Sequence, residues 1–165
     1  MRTKAIERDT MEHILALLTR RNELACRVAL AYGLRIGDVL QLRRWQVEQL
    51  SVTIREEKTG KRRRIIWSEL LRRQLLAIAG EVYVFEHRTD YKKHRTRQAV
   101  WKDIKRASAA LRFKGGIGTH SMRKSYAVRK YAACGDMRRV KQLLNHSDEA
   151  VTWLYALAEY AERKG

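Results

Sequence analysis

The sequence predicts an α+β fold, mainly α, in which helices surround a small three-stranded antiparallel β-sheet. Three observations lead there. The 165 residues include no proline, so helices meet few breakers and turns rely on nine glycines. Apolar residues recur at helical spacing over most of the chain. Residues 50–67 instead change to a period of two, and the short apolar run Val82-Tyr83-Val84-Phe85 is placed to join them as a third strand.

Taken in order, Asp9 or Thr10 caps a first helix carrying Ile14, Leu15, Leu17 and Leu18. A second helix follows Asn22, with Leu24, Val28, Leu30 and Ala31 on its apolar side and Gly33 just past its end. Residues 33–47 read as a turn bearing Arg35 and a short helix bearing Ile36, Val39, Leu40 and Leu42. Val52 and Ile54 alternate with polar neighbours, Ile65 and Ile66 follow, and Lys58-Thr59-Gly60-Lys61 supplies the turn of a hairpin. Its tip is crowded with Lys58, Lys61, Arg62, Arg63 and Arg64, side chains suited to a DNA groove or backbone. Ser68 opens a helix that ends near Gly80. Residues 86–97 are polar, basic and aperiodic, so they predict a surface loop that orders on DNA, with Lys92, Lys93 and Arg95 as contacts and His87 and His94 exposed. Val100, Ile104, Ala107 and Leu111 mark the next helix. Gly115, Gly116 and Gly118 do not make a P-loop, because no Gly-Lys-Ser/Thr follows and no strand precedes them.

The composition narrows the class of partner. Hydrophobic residues make up 45%, enough for a core, and 36 Lys and Arg against 18 Asp and Glu leave a net charge of +18 spread along the chain. A folded domain with that excess is built to meet a polyanion, and double-stranded DNA is the first candidate. Two cysteines, Cys26 and Cys134, make no disulfide framework and read as reduced thiols of a cytoplasmic protein. No zinc-binding spacing is present, and the apolar run at Ile14–Leu18 is too short for a signal peptide or a membrane span.

The chemistry concentrates near the end of the chain. The run from Gly118 to Tyr160 places His120 and Arg123 three apart, at the start of a helix that Gly135 ends. Asp136 caps the next helix, which ends at His146, and a final helix carries Tyr155 nine residues further on. Arginine offers a forked donor for phosphate oxygens, histidine moves a proton near neutral pH, and tyrosine can attack as a covalent nucleophile. The first turn of the His120–Arg123 helix also favours an anion. Each residue has a plainer account as well. Arg35 also fits a capping arginine or one ion-paired with Asp38; the hairpin fits a solvated basic turn; His146 fits a helix cap; Tyr155 fits a core tyrosine.

In order, these residues match a known set. GLRIGDVLQL around Arg35, EEKTGKRRRI around Lys58, THSMRKSYA around His120 and Arg123, and LLNHSDEAVTWLY with His146 and Tyr155 resemble the motifs of the tyrosine recombinases, or phage integrases. The resemblance runs over about residues 10–160. It departs from the usual pattern at Asn145, where glycine is common, and at Lys124, where histidine often stands. It implies the catalytic fold of that family in one domain over residues 1–165, without the N-terminal core-binding domain of typical members.

What the resemblance implies chemically is breakage and rejoining of DNA without metal, ATP or any cofactor. Arg35 and Arg123 would clamp the non-bridging oxygens as charge builds on phosphorus. Tyr155 would attack in line and form a 3′-phosphotyrosyl link, while Lys58 protonates the departing 5′ oxygen. His120 would serve as general acid and base, and His146 would hydrogen-bond the phosphate. A 5′-hydroxyl from a second duplex would reverse the step, which implies a tetramer on DNA, with accessory DNA-binding proteins as possible partners. Two alternatives share these residues: a DNA-binding module without chemistry, and a type IB topoisomerase-like enzyme that religates its own strand.

Overall fold

A computed structural model describes residues 8–144. Eight helices and one hairpin follow in the order α1 (Arg8–Ala16), α2 (Arg20–Tyr32), α3 (Ile36–Leu40), α4 (Arg44–Glu48), β1 (Ser51–Arg55), β2 (Arg62–Ile66), α5 (Glu69–Ile78), α6 (Arg97–Ala110), α7 (Thr119–Cys134) and α8 (Met137–Leu143) among the described residues. The expected final helix, with His146 and Tyr155, lies outside the described residues.

The mainly helical prediction holds; the expected starts of the first two helices do not, since Asp9 and Thr10 lie within α1 and Asn22 within α2, whose N-cap is Thr19. Gly33 ends α2 at φ +66°, the left-handed conformation that glycine adopts without a side-chain penalty. Asp136 caps α8 by accepting from the backbone N–H groups of Arg138 and Arg139. Gly60 takes φ +65° in the hairpin turn, and the backbone N–H of Glu56 donates to the carbonyl of Lys61 at 2.9 Å. The stretch read as one short helix is two, α3 and α4, separated where the Leu42 carbonyl accepts from Val84 and extended Arg43 lies opposite Tyr83.

The sheet has two strands, which corrects the expected three. β1 and β2 pair antiparallel from Ser51 opposite Ile66 to Arg55 opposite Arg62. Val82–Phe85 does not join them. Its backbone pairs with the link between α3 and α4, Val84 donating to Leu42 at 2.9 Å and Arg44 to Val82 at 3.0 Å. The physical cause is core packing: Val84 and Phe85 are fully buried, and there the Leu42 carbonyl accepts from the Val84 N–H while the Arg95 N–H donates to the Phe85 carbonyl.

One large core joins the buried faces of α1, α2, α3, the hairpin, α5 and α6, and reaches Ile117 and Met122. A smaller cluster of Tyr126, Ala127, Val140 and Leu144 ties α7 to α8. At the base of α2, Asp103 reaches over from α6 and accepts from the Thr19 backbone at 2.9 Å, the Thr19 hydroxyl at 2.9 Å and Asn22 at 2.6 Å. It thereby meets the Thr19 N–H, one of the backbone donors left open at the start of α2, where Thr19 makes no side-chain cap. Burial works to raise the Asp103 carboxyl, but these donors and Arg106 hold it below its ordinary value.

Candidate active site

Period-two alternation shapes the centre of the site. Val52 and Ile54 face inward on β1, and Glu56, the next residue in that alternation, is fully buried. Ile65 faces inward on β2, and Arg63, two residues before it and directly opposite Ile54, turns the same way. A carboxylate and a guanidinium therefore occupy core-facing positions of the hairpin. Against them lies Arg35, just ahead of α3, whose Nη1 donates to Glu56 Oε2 at 2.7 Å. Arg63 Nε stands 3.7 Å from the other carboxylate oxygen, and its Nη1 donates to the Tyr32 carbonyl at 2.7 Å. The ion pair that Asp38 could have offered Arg35 goes instead to Glu56. Asp38 accepts from the Glu57 backbone at 2.9 Å, and burial raises its carboxyl above the ordinary value.

α7 brings Arg123 to the same place. Its side chain is 1% exposed; Nη1 donates to the Gly33 carbonyl at 2.9 Å and Nη2 to the Leu144 carbonyl at 2.8 Å. It thus ties the end of α2, just ahead of Arg35, to the end of α8, two residues before His146. Burial, then the neighbouring Arg35 guanidinium, brings Arg123 down to about 10, which leaves it charged at neutral pH. Glu56, Arg63 and Asp38 also act electrostatically on it. Gly33 permits this closeness: a Cβ there would lie 2.5 Å from the Tyr126 ring on α7.

The remaining expected residues fall in three places. Lys58, Lys61, Arg62 and Arg64 are exposed along the hairpin, with Lys58 two residues from buried Glu56. His120 is exposed in the first turn of α7. The loop contacts divide: Lys92 and Lys93 are exposed, whereas Arg95 turns inward and its Nε donates to Asn22 Oδ1. The loop is fastened without DNA, through that bond and through Arg21 donating to the Glu86 carbonyl at 3.2 Å. His87 and His94, expected to be exposed, are half-buried, and the His94 ring packs edge-on against Tyr83 at 5.4 Å. Arg63, expected at the exposed tip, is inside the cluster. Glu56 was not anticipated, although the series Val52, Ile54, Glu56 is itself the signal in the sequence.

Two donors of Arg35, Nε and Nη2, are buried without a hydrogen-bond partner among the described residues. They share one edge of the guanidinium, the edge that engages two oxygens of one anion. Among the described residues no group of three or more His, Cys, Asp or Glu stands together to hold a metal ion.

Guanidinium groups thus gather under a basic hairpin on a mainly helical frame. The fold is that of tyrosine recombinase catalytic domains. A XerH site-specific recombinase, in a structure bound to palindromic difH substrate after cleavage, superposes with TM-score 0.71 at 17% identity over 90% of this chain and 48% of its own. A lambda integrase dimer bound to a COC′ core site gives TM-score 0.72 at 20% identity over 93% of this chain and 48% of its own. Among curated proteins, the probable integrase/recombinase YoeC of Bacillus subtilis is 29% identical over 129 residues, 74% of this chain and 70% of its own length. Tyrosine recombinase XerD of Staphylococcus aureus is 28% identical over 137 residues, 76% of this chain and 46% of its own. The chain thus spans about half the length of XerD. The Phage integrase family matches residues 4–162, and the chain belongs to that family.

Proposed function

We propose that this chain is the catalytic part of a site-specific DNA recombinase that breaks and rejoins strands through a 3′-phosphotyrosyl intermediate. The observation that carries the reading is the burial of Arg35 and Arg123, far apart in sequence, in one cluster beneath the basic hairpin. Taking arginine out of water is costly, and a fold that does so twice in one place has positioned the groups for an anion.

In this reading Arg35 and Arg123 bind the non-bridging oxygens of the scissile phosphate. The Tyr155 hydroxyl oxygen bonds to phosphorus, giving its proton to His120, and the bond to the 5′ oxygen breaks. Lys58, carried on the exposed hairpin turn, supplies the proton that makes the 5′-hydroxyl. His146 hydrogen-bonds the phosphate; Arg123 anchors the chain two residues before it. The new ester keeps the energy of the broken bond, so a 5′-hydroxyl can displace the tyrosine with no other energy source. Lys61, Arg62, Arg64, Lys92 and Lys93 contact the duplex backbone, and a tetramer on DNA exchanges the strands.

The test is covalent capture. The 165-residue chain is mixed with a randomised library of nicked suicide duplexes, and adducts surviving detergent are recovered. The wild type is expected to yield adducts and Tyr155→Phe none. No adduct from the wild type would leave the DNA-binding module as the reading. An adduct that reseals its own strand but never accepts a 5′-hydroxyl from a second duplex would favour the topoisomerase-like one.

A further inference from the structure

The hairpin does more in this structure than carry Lys58. Glu56 is fully buried, yet it is an acidic side chain beside groups that must attract a phosphate. A carboxylate there opposes anion binding unless it has another task. Its contacts name one: Oε2 accepts from Arg35 at 2.7 Å, Oε1 lies 3.7 Å from Arg63 Nε, and the Thr59 hydroxyl next to Lys58 donates to Oε2 at 3.3 Å. Arg63 is in turn held by the Tyr32 carbonyl at the end of α2. Around Arg123 the groups Arg35, Arg63, Glu56 and Asp38 act electrostatically, so that among these five described residues the positive charges outnumber the negative by one, opposite in sign to a phosphodiester.

We propose that Glu56 is a positioning residue, whose buried carboxylate bridges Arg35 and Arg63 and so aims the free edge of Arg35 at the scissile phosphate. Arg63 is the second arm of the bridge and not a DNA contact. The bridge engages Arg35 through Nη1 and leaves Nε and Nη2 on the other edge. Because Glu56 precedes Lys58 by two residues, the same contact fixes the hairpin turn against α3. This inference rests on the strand-transfer reading.

Glu56→Gln keeps the shape and removes the charge, and Arg63→Gln removes the other arm. Single-turnover adduct formation is measured at saturating protein on a captured duplex. It is repeated with the scissile phosphate replaced by an uncharged methylphosphonate, which needs less from a cationic clamp. Glu56→Gln is expected to slow the ordinary substrate about tenfold or more while duplex affinity stays within about threefold, and to leave the methylphosphonate rate within about threefold of wild type. Arg63→Gln is expected to act in the same direction. Equal slowing on both substrates would mean general loss of structure and overturn the proposal; so would no slowing on either. A thermal-melting cycle of the two single variants and their double needs no chemistry, and additive effects would overturn the bridge. If the wild type forms no adduct, the strand-transfer reading falls as well, whereas an active wild type with an indifferent Glu56→Gln removes this inference alone.

Discussion

Cys26 and Cys134 show how burial separates two residues that look alike in the sequence. Cys26 is fully buried in the main core on α2, and burial pushes its thiol up to about 12. Cys134 is exposed at the end of α7. A thiol-exchange reagent is expected to modify one cysteine in the native protein and the second only after denaturation; rapid modification of both would contradict this packing. The raised thiol also has a sign in pH. The unfolded chain releases the Cys26 proton above its ordinary value and the folded chain keeps it, so stability falls as pH rises above that value. At pH 10 this contribution to the loss is about 1.4 kcal/mol, read as a fall in unfolding free energy from pH 7 to pH 10 that is larger by that amount in wild type than in Cys26→Ala. Whether a residue is charged in water or shielded in a core follows from its neighbours in space, and for both cysteines the sequence offered only a helix-like setting.

At the scale of elements, the hairpin and the α2–α7 junction carry most of the site. Neutralising Lys61, Arg62 and Arg64 together with glutamine is expected to reduce the salt dependence of duplex binding by a slope of about 2 to 3. Melting should shift little, because all three are exposed and surface ion pairs contribute little stability. Arg63→Gln should do the reverse, lowering the melting temperature because it leaves Glu56 with less of its countercharge in a buried setting. Fluorescence anisotropy across a salt series, beside thermal melts, separates the two classes. At the junction, Gly33→Ala would meet both a left-handed φ and the Tyr126 ring, and is expected to destabilise by about 2 kcal/mol or more. It should also slow adduct formation, since the Gly33 carbonyl anchors Arg123. A variant with wild-type melting and wild-type rate would show that the junction does not need this contact.

For the whole molecule, a charge of +18 on a chain whose described residues share one large core is expected to govern its affinity for a polyanion. Its affinity for duplex DNA is expected to fall steeply with salt, log Kd rising linearly with log salt over about 50 to 200 mM. A flat response would mean that the charge is not a DNA footprint. Among the described residues no helix is long and apolar enough to cross a membrane.

The sequence alone determined the mainly helical class, the hairpin, the glycine and aspartate helix ends and the order of the motif residues, because each depends on neighbours a few positions apart. It placed Gly33, Gly60 and Asp136 as observed, since φ and capping are local properties. Only the tertiary structure decided what depends on approach between distant segments: that Val82–Phe85 pairs with the α3–α4 link and not the hairpin, and that Arg35 meets Glu56 and not Asp38. It likewise decided that Arg63 and Arg95 turn inward while their basic neighbours stay in water. Burying a charge is favourable only where a partner waits, and for Arg35 that partner lies on a segment the sequence does not set beside it.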